Sequence, residues 1–381
     1  MLKKSLTLLI GVAVIATMLC GCQGLPGEEP QEDIIATIVE PIPDPTPTPE
    51  PTPEPEPEEE VVEGCYRSEL TNEWIDEGLK DQRPIAAMVD NELFALNHFG
   101  VNSCDVVYEM MNSTANDRIT RLMCIAKDYE NIEQLGSIRS TRPTNFMIAA
   151  EYNAILIHDG GPFYNDDYYA KDYTNNLSGG FARIPNGKSL EFTEYVTPEE
   201  YTNSKGKTFD GLLKRIEDAK YSRTYTELYE GPHFNFSNKE FELSETDETK
   251  SAKSISLPFY HNKSNLQYNE ETKTYEYYEY GDPHVDELTG EVTSFKNLIV
   301  YGVSFAQLDE NGYLVYNVIG TGDHGYYITN GEAIPIMWIK EGEASITKFY
   351  NQKTGEEITL NTGKTYIAIV PDDTWEEVAI N

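Results

Sequence analysis

Arg83-Pro84-Ile85-Ala86-Ala87-Met88-Val89-Asp90-Asn91 is the stretch on which the fold turns. From Pro84 to Val89 it is apolar without a break, and it stops at an acid and an amide, as a short strand does. Similar runs recur at residues 105–111, 119–126 and 154–158. Between the last two, residues 143–152 read as a helix, with Pro143 suited to its first turn. A second helix is expected over residues 208–219, where Thr208 can cap the start and Phe209, Leu212, Leu213 and Ile216 form one apolar stripe. Strands interleaved with helices make residues 64–236 a mixed α/β domain.

Past about residue 225 the pattern changes. Asn311-Gly312 and Asn330-Gly331 each separate two strand-like runs, which is a hairpin signal, and Thr354-Gly355 and Asn361-Thr362-Gly363 mark later turns. Helical periodicity is nearly absent from 252 to 371. Residues 237–381 therefore read as a β-rich domain, entered through a polar junction near 237–252. The fold class is α+β, with a mixed α/β N-terminal domain and a β-rich C-terminal one.

The first sixty residues are of another kind. Lys3 and Lys4 precede an apolar run from Leu6 to Leu19, too short to be read first as a spanning helix, which needs roughly 20 residues. The run ends in Leu19-Cys20-Gly21-Cys22, which resembles the lipobox of bacterial lipoproteins: an aliphatic residue, two small ones, then the cysteine that carries the lipid. Residues 1–21 are expected to be a signal peptide, and Cys22 the lipidated residue, diacylated and palmitate-bearing. Residues 23–63 hold eleven of the 21 prolines, thirteen acids and no Lys or Arg. Such a segment cannot bury enough apolar area to fold, so 22–63 reads as a disordered Pro/Glu tether. Its Pro-rich part reaches on the order of 50 Å at ~3.1 Å per residue.

Composition narrows the partners. The chain carries 65 Asp and Glu against 29 Lys and Arg, a net charge of −36. Nucleic acid is excluded as a partner, since phosphate contacts need clustered cations. Cys65, Cys104 and Cys124 remain beside Cys22 after cleavage. An odd number rules out a fully paired framework, and small buried side chains are the favoured reading of Cys104 and Cys124, with a bridge between them left open.

Several stretches together resemble the YerB-like lipoproteins of bacteria, whose shared domain has no assigned biochemical function. They are residues 83–91, Asp105-Val106-Val107-Tyr108-Glu109, Ile119-Thr120-Arg121-Leu122-Met123, Gly136-Ser137-Ile138-Arg139-Ser140-Thr141-Arg142-Pro143 and His158-Asp159-Gly160-Gly161. Asn330-Gly331 through Trp338 and Gly363-Lys364-Thr365-Tyr366 continue the likeness. The sequence departs from the family at Cys104 and Cys124, where alanine is usual, and at 112–116, where glycines are. The resemblance implies an envelope lipoprotein with an α/β first domain and a β second domain.

The sharpest chemical signal is Ile138-Arg139-Ser140-Thr141-Arg142-Pro143 at the mouth of a helix. Free first-turn N–H groups and the helix dipole favour an anion there, and Arg139 and Arg142 add fork-shaped donors for phosphate or carboxylate. Asp90 and Glu109 are the internal acids available to neutralise them instead. Arg83, Arg121 and Asn91 join the candidate ligand-binding set. His158, after an apolar strand and before two glycines, is a candidate acid or base near neutral pH or a satisfied histidine before a turn. Gly320-Thr321-Gly322-Asp323-His324-Gly325 spells G-x-G-x-x-G, but strand-like runs follow it, so it reads as a hairpin or bulge rather than a nucleotide loop. The six histidines show no zinc-site spacing, and no metal or cofactor is expected.

The leading expectation is a membrane-anchored lipoprotein on the extracytoplasmic face. It would be a binding or regulatory protein of the cell envelope, with an arginine-lined site for an envelope protein or an anionic wall polymer. The alternative is an enzyme acting on wall polymers or their lipid-linked pyrophosphate precursors. There the arginines would hold pyrophosphate, and Asp90 or Glu109 would handle a metal or proton. The turn's similarity to the arginine-bearing turn of enzymes that attach polymers to bacterial walls motivates this second reading.

Overall fold

The computed structural model describes residues 61–243 and 249–381. The signal segment, the box around Cys22 and the tether up to residue 60 lie outside them, as do residues 244–248 of the junction.

Unbroken apolar strands need cover on both faces, and the central sheet has it. The N-terminal half contributes β1 (Ile85–Asp90), β2 (Val106–Met111), β3 (Thr120–Ala126), β4 (Ile155–His158) and β5 (Asn176–Ser178). The C-terminal half adds β6 (Lys250–Ser251), then β7 (Ser254–Ser256), β8 (Asn265–Asn269) and β9 (Thr274–Glu279) of a second sheet. After these come β10 (Asn297–Val303), β11 (Gly320–Gly322), β12 (Gly325–Thr329), β13 (Glu332–Lys340), β14 (Lys348–Asn351) and β15 (Thr365–Pro371). Twelve strands form one sheet in the order β6-β13-β12-β10-β15-β2-β3-β1-β4-β5, with β11 and β14 added on β13. The two halves meet inside this sheet. β15 pairs parallel with β10 on one side and with β2 on the other, Thr365 facing Asn297 and Val106.

Because side chains alternate along a strand, each strand feeds two cores. Ala87, Val89, Val107, Leu122, Leu298 and Ala368 pack on one face with Leu266, Tyr275 and Tyr277 of the second sheet. Ala86, Met88, Tyr108, Met123, Ile299 and Ile367 pack on the other with Phe146 and Met147 of the helix α1 (Pro143–Glu151). Each fully buried Val, Leu, Ile, Met or Phe among them contributes roughly 1.5–3 kcal/mol. Glu151, the last residue of α1, is buried and accepts from Lys340 Nζ and His233 Nε2 at 2.8 Å each and from the Thr347 amide at 2.9 Å, tying the helix to β13.

The hairpin signals hold: Asn311-Gly312 joins Phe305–Gln307 to Leu314–Tyr316, and Asn330-Gly331 joins β12 to β13. Gly320 to Gly322 is strand β11, so the G-x-G-x-x-G run is a piece of sheet. The second helix needs correction. It spans only Leu212–Asp218 (α2), and Thr208–Phe209 pairs instead with Tyr201–Thr202. The Thr208 hydroxyl sits 2.8 Å from that of Thr202, so it does not cap α2, and Gly211 precedes the helix. Cys104 and Cys124 are free and buried and Cys65 is free and half-exposed. Among the described residues no helix is long and apolar enough to cross a membrane.

Candidate functional site

Asp90 closes β1, Arg121 opens β3 beside it in register, and Arg139 and Arg142 stand on the segment that leads into α1. These four residues line one cleft of about 770 Å³. Asp90 is fully buried and forms two ion pairs, with Arg121 Nη1 at 2.7 Å and Arg139 Nε at 3.0 Å. Arg139 also reaches Glu191 at 3.5 Å on the rim, and His261 pairs with Glu92 at 3.2 Å. Two of the cleft's three arginines are thus neutralised from within.

Arg142 differs. Its Nε donates to the Asn112 carbonyl at 2.9 Å, and its Nη1 donates to Ser140 Oγ at 3.2 Å and to the Thr141 carbonyl at 2.9 Å. Its guanidinium lies 4.6 Å from the Tyr313 ring centre. Among the described residues no carboxylate pairs with it and no hydrogen bond from its Nη2 is made. Burial, helped by the Arg121 charge, lowers its pKa to about 10, which leaves it cationic at neutral pH. Such a charge is stabilised only in part by neutral oxygens and a ring face, so an anion in the cleft would gain from it. A second hollow, of about 570 Å³, offers a contrast. Its Lys273 and Lys296 are both paired with Glu240.

The helix contributes less than its sequence implied. Pro143 has no N–H, the Asn145 amide is bonded to the Arg142 carbonyl, and neither residue lines the cleft. Attraction for an anion there comes from side chains. The opposite lip is built from Asn112, Ser113 and residues 115–117 with Asn311 and Tyr313. Ser113 Oγ donates to the Asn311 carbonyl at 3.1 Å, which docks this loop on the Asn311-Gly312 hairpin. Sequence reasoning missed these residues because the turn signal located the hairpin but not what it touches.

The other candidate residues lie elsewhere. Arg83 is buried at the far end of β1, donating to the Asn153 and Ala154 carbonyls and to Asn175 Oδ1. Glu109 faces the second sheet, where the hydroxyls of Thr120 and Ser264 (2.7 Å each), Tyr277 (2.9 Å) and Tyr366 all donate to it. Burial raises its pKa, and those donors oppose the rise. Asn91 joins the same cluster through Thr120 Oγ1 at 2.9 Å. His158 has both ring nitrogens occupied, by the Gly160 carbonyl at 2.9 Å and Asn176 Oδ1 at 3.1 Å, and burial lowers its pKa. The histidines and acids able to meet around a metal are outside the cleft, at His98, Glu279 and His284.

A family model described as a protein of unknown function (DUF3048), N-terminal domain, matches residues 70–221, and its C-terminal-domain counterpart matches 255–367. The protein of Bacillus subtilis (strain 168) named "Putative lipoprotein YerB" is 23% identical over 316 residues, which cover 80% of this chain and 86% of that one. A crystal structure of the YerB protein from Bacillus subtilis shares the fold with a TM-score of 0.65 at 19% identity, over 83% of this chain and 99% of that one.

Proposed function

Because the chain belongs to the DUF3048 family, carrying both of its domains, we propose that it is a lipid-anchored protein of the cell envelope that binds an anionic partner in the Arg121–Arg139–Arg142 cleft. The observation that carries the reading is Arg142, a buried cation turned into a cleft with no acid at ion-pair distance among the described residues. Asp90 positions the other two arginines, so a phosphate or carboxylate would find a cation that lacks an acid partner flanked by two oriented guanidinium groups. The Leu19-Cys20-Gly21-Cys22 box supports the anchor, as does the name given to the Bacillus subtilis relative. The role is binding or regulation on the outer face rather than catalysis. Asp90 is held by two guanidinium groups and Glu109 by four hydroxyls, which leaves neither placed to take a proton from a bound substrate.

Calorimetric titration of the full chain in detergent with inorganic pyrophosphate, and separately with citrate, tests this. Wild-type protein should bind at least one of the two, and Arg142→Gln should weaken binding at least tenfold, an effect of ~1.4 kcal/mol or more. Arg142→Lys should fall between them, since it keeps the charge but loses the fork. Absence of binding by the wild type, or equal binding by Arg142→Gln, would overturn the reading.

A further inference from the structure

Behind the cleft wall, three buried side chains from distant parts of the chain meet at one point. His98 belongs to the loop between β1 and β2. Glu279 ends β9, and His284 follows a two-residue turn at Tyr280-Gly281, both with positive φ, that folds the chain back on β9. His98 Nδ1 lies 2.8 Å from His284 Nε2, and Glu279 Oε1 lies 3.7 Å from the same His284 nitrogen. All three residues are at most 3% exposed.

A hydrogen-bonded histidine pair accounts for the two imidazoles but not for the glutamate. Both oxygens of Glu279 are buried and neither closes a hydrogen bond of good geometry, although the side chains of Asn262 and Tyr277 face the carboxyl group. Glu109, another carboxylate in this interior, receives four hydroxyl donors and the Asn91 amide. A carboxylate so weakly held in such surroundings costs several kcal/mol unless a cation or a proton meets it (roughly 1–3 for the lost hydrogen bonds alone, and more for a charge). Among the described residues no Lys or Arg pairs with it.

The histidines are oriented as ligands would be. His284 Nδ1 is 2.8 Å from Thr293 Oγ1, a bond that turns Nε2 toward His98 and Glu279. The far nitrogen of His98 faces the Asp90 main chain without closing a bond of good geometry. An outer partner on the second ring nitrogen is the usual support of a metal-bound imidazole. Two imidazole nitrogens and a carboxylate form a donor set for zinc and its first-row neighbours rather than for calcium or magnesium.

We propose that His98, Glu279 and His284 form a structural site for one divalent transition-metal ion of the zinc class, which fastens the β1–β2 loop to the β9 hairpin. The ion gives Glu279 the counter-charge it lacks, and the fourth position falls to the second Glu279 oxygen or to a water. Tetrahedral ligands at about 2.0–2.1 Å stand roughly 3.3 Å apart, so the two histidine nitrogens must part by about half an ångström from their hydrogen-bonded spacing. Burial makes the ion a clamp that joins elements matched by the N- and C-terminal family domains, not a catalytic centre. Sequence spacing hides the site, because Glu279 and His284 are adjacent only across a tight turn and His98 comes from the other half of the chain.

The full chain in detergent, stripped with chelator, reloaded with Zn²⁺ alone and desalted, should retain about one ion and melt at a higher temperature. X-ray absorption of the zinc-loaded wild type should show two imidazole ligands, and Co²⁺ substitution should give the visible bands of a low-coordinate nitrogen and oxygen site. Glu279→Gln, with its near-ultraviolet dichroism unchanged, should lose at least tenfold in affinity. No retained ion, an ion with fewer than two imidazole ligands, or affinity unchanged in Glu279→Gln overturns the proposal. If Glu279→Gln does not fold, the absorption spectrum of the wild type decides.

Discussion

At the scale of single residues, the buried acids divide by the company they keep. Asp90 holds Arg121 and Arg139, so Asp90→Asn takes the counter-charge from buried Arg121 and leaves Arg139 only the rim contact with Glu191. Breaking a buried pair from one side costs on the order of 3–5 kcal/mol. Thermal unfolding of Asp90→Asn should show a loss of that order, and saturating pyrophosphate should restore more of it than it adds to the wild type. Glu151 makes a prediction about acid. Burial alone would raise its pKa, but Lys340 and His233 outweigh burial and bring it to about 2. A carboxylate whose folded pKa lies below its unfolded one adds stability that is present above the unfolded value, near 4.5, and lost as pH falls toward 2. The contribution is on the order of 3 kcal/mol. Urea midpoints measured between pH 6 and pH 2 should therefore fall more steeply in the wild type than in Glu151→Gln, which starts lower and stays flatter. The sequence marked Asp90 and the three cleft arginines by their place at strand and helix ends. It gave no sign that Arg83 serves two carbonyls and Asn175 at the opposite end of β1, because two of the partners are backbone atoms, which any residue carries, and the third comes from a distant strand edge.

At the scale of elements, local signals were readable where the chain itself decides and unreadable where a neighbour does. Asn330-Gly331 and Asn311-Gly312 are turns because both need positive φ, a property written in the residues. The start of α2 was misread because Thr208 has two uses for its hydroxyl, and pairing with Thr202 takes it. Gly312 joins local and tertiary demands. Its φ is +79°, and a Cβ there would come within 2.7 Å of the Ala115 nitrogen and the hydroxyls of Ser113 and Thr114. Gly312→Ala should cost about 1–3 kcal/mol. Because those contacts belong to the lip of the cleft, the variant should also bind pyrophosphate more weakly. Scanning calorimetry and the same titration check both parts, and unchanged binding beside a lowered melting temperature would separate the hairpin from the site.

At the scale of the molecule, α/β and β-rich halves were legible from periodicity, but their joining was not. Hydrophobic runs show that β2 and β15 are buried on both faces, yet nothing in either run names its neighbour. Since β15 stands between β10 and β2, the halves share hydrogen bonds along the middle of one sheet. Heating the full chain should therefore give one cooperative transition for residues 61–381. A fragment of residues 61–243 should show none, because β2 would be left as a bare apolar edge. Two separate transitions, or a cooperatively melting fragment, would mean that the halves stand alone.

The place of β15 also has a consequence in time. Val106 must wait for Thr365, so the sheet is completed at its centre by a segment synthesised long after β2. Such long-range pairing makes folding slow, as loop closure over most of the chain precedes its reward. Until then the newborn polypeptide presents β2 as an open template for any passing strand. The hazard for this protein is thus kinetic: aggregation during biogenesis, governed by how fast β15 arrives and who guards β2 in the interval.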